Sequence, residues 1–240
     1  MVEIGLNNVA GNPNLTFIFF IGFTMLAVLG LRFAYYAYRN REETEMRSQA
    51  PIWTHLVYIG VLSAVFSLAG IVEIVSTLQL PYKSAAMLGA TLMLAFAIRQ
   101  IHYTATSADG GAEKTHPFER LARSAFVASV LLLAVVLFQF GQSNLAAAIE
   151  GLAGLSFLGY GVAFYHDQIS NSRLQGTMLD SLLRHLLPVL AFAALISIAS
   201  LAELSVPRIV VLHVEVVFII MTATALMTGT IKLRQNLASL

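Results

Sequence analysis

Apolar residues fall in seven long stretches along this chain, separated by short polar breaks. The stretches run approximately over 14–38, 52–79, 83–104, 120–140, 144–166, 179–204 and 207–232. A hydrocarbon core about 30 Å thick takes roughly 20 apolar residues per helix, so each stretch predicts one crossing. The breaks carry turn chemistry: LQLPYK at 78–83, SADGGAEKTHP at 107–117, FGQSN at 140–144 and ISNSRLQGT at 169–177. There is no internal repeat, and no loop has room for a soluble domain. The expected fold is an all-α integral membrane protein, a single domain over 1–240 forming a seven-transmembrane-helix bundle.

Polar and small residues inside the stretches recur at helical spacing. In the second, Ser63, Ser67, Gly70, Glu73 and Thr77 share one face. In the sixth, Ser197, Ser200 and Glu203 do the same. The fifth carries Ala147, Gly151, Gly154, Gly159 and Gly161, which permit close helix approach. The phenylalanines at 17, 19, 20 and 23 are expected to face lipid.

Composition agrees with the pattern. The chain is 58% hydrophobic and 11% charged, against about 25% charged in soluble domains, with a mean hydropathy of +0.76. It has no cysteine, which removes disulfides, thiolate metal sites and Cys nucleophiles. No basic patch interleaved with aromatics points to nucleic acid. The start, MVEIGLNNVAGNPN, lacks the basic region of a cleavable signal.

The distribution of Lys and Arg sets a direction. Arg32, Arg39, Arg41, Arg47, Arg99, Lys114, Arg120, Arg123, Arg173, Arg184, Lys232 and Arg234 fall on one side, and Lys83 and Arg208 on the other. Cytoplasmic loops carry the excess, so the N-terminus is expected outside and the C-terminus in the cytoplasm of a multi-pass cell-membrane protein. Tyr35, Tyr36, Tyr38, Trp53, Tyr58, Tyr103 and Tyr165 lie near the cytoplasmic interface.

Ionisable groups within the stretches are functional candidates, because a charge at mid-bilayer costs at least about 2.5–3.5 kcal/mol. At about 1.5 Å per residue, Glu73, Glu150, His213 and Glu215 share a level in the outer half, with Glu203 above them. His213 and Glu215 are about 200° apart around their helix, so they cannot both point into one pocket. The layer suits a pocket for a proton, a cation or a small polar substrate. It also suits a divalent metal held by carboxylates and one imidazole, or structural hydrogen bonding. On the cytoplasmic side, His55, His102 and His185 mark the ends of three helices, and Arg99 can snorkel to that surface.

In topology the chain resembles microbial rhodopsins: seven helices, an outside N-terminus and short outer loops. Such pigments need a lysine midway along the seventh helix, where Ile220, Met221, Thr222, Ala223 and Thr224 stand here. No covalently bound retinal is therefore expected. GLAGLSFLGYG at 151–161 is similar to the GxSG motif of rhomboid proteases, but Ala153 occupies the place of the nucleophilic Ser. The expectation leans against an enzyme. It favours a transport or ion-binding bundle, ahead of a sensory module signalling through a membrane partner or a structural subunit of a complex. Beyond the bilayer, another membrane protein or a second copy are the candidate partners.

Overall fold

The computed structural model describes residues 7–44, 50–107, 117–170 and 177–239. Seven α-helices follow a short 3-10 turn at Val9–Gly11: α1 Pro13–Glu43, α2 Ala50–Val75, α3 Tyr82–Ser107, α4 Pro117–Phe140, α5 Asn144–Ser170, α6 Met178–Ala202 and α7 Arg208–Ser239. All seven are long and apolar enough to cross a membrane. Among the described residues there is no β-strand.

Lipid offers backbone groups no hydrogen-bond partner, so an apolar run closes its bonds within itself as a helix. The ends show what stops each run. Asn12 caps α1, its side chain accepting from the Asn14 and Leu15 amides at 3.0 and 3.2 Å. Thr177 starts α6 in the same way, accepting from the Asp180 amide at 3.3 Å. Gly141, at φ 63°, makes the tight turn from α4 to α5, in a conformation where a side chain would be strained.

The end of α2 differs from expectation: it stops at Val75, not near 79. Ser76 bonds back to the Val72 carbonyl at 2.6 Å, and Glu73 accepts the Leu80 amide at 3.0 Å. These side chains satisfy the backbone that a further turn would otherwise have paired. Glu73 therefore lies in the last turn of α2, shallower than counted, and Thr77 lies beyond the helix.

Successive helices pack side by side, and α7 returns to close on α1. Helix α3 also contacts α5 and α6 as well as α2 and α4, and 83% of its apolar window is buried by protein. Helix α4 touches only α3 and α5 substantially, and 17% of its window is buried. The bundle is thus wrapped around α3, with α4 on its rim.

Helices α1 and α2 approach backbone to backbone. A Cβ on Gly60 would lie 2.5 Å from the Gly30 carbonyl oxygen. On α5, Gly151 and Gly154 admit Leu201 and Ser197 of α6, whereas Gly159 meets nothing within 4 Å. The phenylalanines of α1 divide by angle. Phe17 is exposed, but Phe19 and Phe23 are buried, and Phe23 meets the Phe66 ring edge-on with centroids 5.5 Å apart. The lipid-facing expectation holds for Phe17 and is corrected for Phe19 and Phe23, four residues apart on the face that meets α2. Trp53 is also buried in the bundle core.

Opposite ends of the bundle differ in chemistry. At the end away from the N-terminus, Asn40 is fully buried and donates to the Leu233 carbonyl at 3.0 Å. It also accepts from Asn236 at 2.6 Å, which ties α1 to α7. The N-terminal end instead opens into a polar cavity.

A candidate polar cavity at the N-terminal end of the bundle

The cavity encloses about 680 Å³ and lies where α2, α6 and the N-terminal ends of α3, α5 and α7 meet. Its mouth is formed by connections, including Asn8, Gln79 and Gln142, and its apolar wall by Phe19, Phe23 and Phe66. Three of the four residues expected at this layer line it: Glu73 from α2, Glu150 from α5 and Glu215 from α7. Glu203, just past the end of α6, lines it as well.

His213 is the exception. It is exposed, does not line the cavity, and its Nδ1 lies 2.6 Å from the Ile209 carbonyl of its own helix. The angle between positions i and i+2 decides this: with Glu215 turned inward, His213 must turn outward. Among the described residues no three His, Asp or Glu side chains come together as a metal-binding group. The expected set of three carboxylates and one imidazole is therefore not assembled.

Each carboxylate has a different environment. Glu73 is an ion pair: Lys83 Nζ donates to its Oε2 at 2.5 Å while the Leu80 amide donates to Oε1. Both side chains are about a quarter exposed, 24% for Glu73 and 23% for Lys83. The Lys83 ammonium also lies 5.8 Å from the centre of the Phe23 ring. Glu150 is 4% exposed and interacts with the hydroxyls of Ser84 and Ser200. Glu215 is partly buried and feels the charges of Lys83, Arg208, Glu203 and Glu73. Among the described residues neither Glu150 nor Glu215 makes an ion pair.

Lys83, Ser84, Ser200 and Arg208 complete the site. From the sequence, Lys83 serves only as a marker of direction, whereas Arg208 is also a candidate partner for the glutamates of the layer. The signal for Lys83 was its place at the start of α3, straight after the short connection from Glu73. Two ends joined by six residues cannot lie far apart.

The opposite end holds the remaining candidates. His102 is buried, with Nε2 3.3 Å from Asp167 of α5, and packs on Phe164. Arg99 is 3% exposed, with its guanidinium 4.4 Å from the centre of the Tyr103 ring, so it lies inside the protein rather than reaching for the surface. The Nδ1 atoms of His55 and His185 each lie 2.6 Å from a carbonyl one turn back in their own helices, Pro51 and Ser181. His116, Arg47, Lys114 and Arg173 lie outside the described residues.

Comparison with known protein families, with curated proteins and with solved structures gave no match.

Proposed function

We propose that the protein is a small membrane transport or ion-binding bundle whose cavity takes a proton, a cation or a small polar substrate. The observation that carries this is the placement of Glu150 and Glu215, from two different helices, on one cavity, with no cation among the described residues bonded to either. Two carboxylates withdrawn from water need compensating positive charge. Lys83 and, for Glu215, Arg208 supply part of it at a distance, but among the described residues none by direct contact, Lys83 being bonded to Glu73. A proton or a ligand's positive charge is left to do so, and exchange of one for the other is the elementary step of proton-coupled transport.

The charge asymmetry of the loops supports an outer position for the N-terminus and this cavity. Pro188 inside α6 removes one bond of that helix, a common site of bending where a bundle must move. A sensory module would be expected to have an apolar central pocket, and the charged lining here favours transport. The structural reading is supported at Glu73, whose oxygens are both bonded within the protein, and in part at Glu150, which meets the Ser84 and Ser200 hydroxyls.

The test is reconstitution in liposomes with a pH-sensitive dye, under an imposed gradient of a monovalent or organic cation. Cation-driven proton movement is expected in the wild type. It should be lost in an E150Q/E215Q variant that stays monodisperse and helical. Absence of any cation-driven proton flux or cation binding in the wild type would leave the cavity a structural feature.

A further inference from the structure

The cavity also carries a positive charge, in a different place, that forms no ion pair among the described residues. Arg208 is the first residue of α7, lines the mouth of the cavity, and makes no ion pair among the described residues. Glu215 is seven residues further along. Seven residues are almost two full turns, so the two side chains share one face about 10 Å apart along the axis. Glu150 enters at the deeper level from α5, buried and facing the same space. Lys83 and Glu73 neutralise each other on the α2–α3 wall. What remains, with no ion pair among the described residues, is the Arg208 guanidinium and the exposed Glu203 carboxylate at the mouth and the Glu150 and Glu215 carboxylates below.

We infer that the ligand of this cavity is a small zwitterion, with its cationic group against Glu150 and Glu215 and its anionic group on Arg208. This rests on the reading of the cavity as a ligand site. An inorganic cation would satisfy the carboxylates, yet it would fill little of about 680 Å³ and leave Arg208 unmatched. A plain anion would meet Arg208 but enter against Glu203 and Glu215. A molecule with both charges meets both ends. The positive end of the α7 dipole adds to the attraction for its anionic group. The hydroxyls of Ser84 and Ser200 are placed to accept from an ammonium beside Glu150.

The spacing makes the inference measurable. Purified wild-type protein is titrated at constant ionic strength with glycine, β-alanine, γ-aminobutyrate and δ-aminovalerate, a ladder of increasing charge separation. Propylammonium and butyrate carry one charge each and serve as controls. Binding is read by displacement of radiolabelled γ-aminobutyrate and by thermal stabilisation. One member of the ladder is expected to bind at least tenfold more tightly than propylammonium. R208Q should remove that advantage without weakening propylammonium binding, which loses a repelling charge and should hold or tighten, whereas E150Q and E215Q should weaken both. Arg208 is exposed, so R208Q tests binding without a buried defect. Equal binding of propylammonium and every zwitterion, indifferent to R208Q, would overturn the zwitterion and leave the cation-site reading standing. A folded wild type that binds none of the cationic probes and no inorganic cation would overturn both.

Discussion

The lysine at position 83 and the glutamate at position 73 hold the α2–α3 connection through one short ion pair and one backbone bond to Leu80. Both side chains are partly shielded from solvent, so removing one strands the other. K83M should therefore lower stability by about 1–3 kcal/mol, and the K83M/E73Q double variant by less than the sum of the two single changes. A thermal-stability cycle in one detergent measures the coupling, and additive losses would show the pair to be energetically idle. Glu150 and Glu215 should behave differently, because they have no such partner to strand. Some of this division was legible beforehand. The rule that positions i and i+2 diverge meant that His213 and Glu215 had to part. Which of them turned inward depended on the neighbours of α7, and no local pattern in the chain encodes those. Lys83 was overlooked because a charge near a helix end serves equally well as a topology marker.

Elements are where the sequence is most readable, and the reason is the solvent. Lipid forces each apolar run to complete its own hydrogen bonds, so length and hydropathy alone locate seven helices. The inward face is harder to see, because side chains facing lipid and side chains facing protein are equally apolar. Phe19 and Phe23 illustrate this: they are indistinguishable in type from Phe17 yet buried on α2. Small residues are more informative, though not uniformly. Gly60 abuts the α1 backbone, whereas Gly159 faces open space. Replacing Gly60 by Ala should push α1 from α2 and cost about 1–3 kcal/mol. Gly159→Ala should be neutral or stabilising by up to about 1 kcal/mol. Thermal unfolding of the two variants side by side checks this, and equal losses would contradict the observed packing.

For the whole molecule, orientation is the statement that most needs a direct measurement, since the cavity acts on whichever side it opens. The chain has no cysteine, so each one introduced is unique. Gln142→Cys, in the exposed α4–α5 turn, should react with a membrane-impermeant maleimide added to intact cells. Glu43→Cys, at the exposed end of α1, should react only after permeabilisation. The reverse result would place the cavity on the cytoplasmic side.

Helix α3 has the lowest mean hydropathy of the seven spans, 1.4, and the greatest protein coverage, 83%. That pairing has a consequence for biogenesis. The translocon partitions each segment by its own affinity for lipid, and α3 brings Lys83, Thr91 and Arg99 to that decision. Its partners α5 and α6 have not yet been synthesised when it emerges. The nascent chain must therefore carry its most weakly inserting segment shielded mainly by α2 until later helices arrive to enclose it.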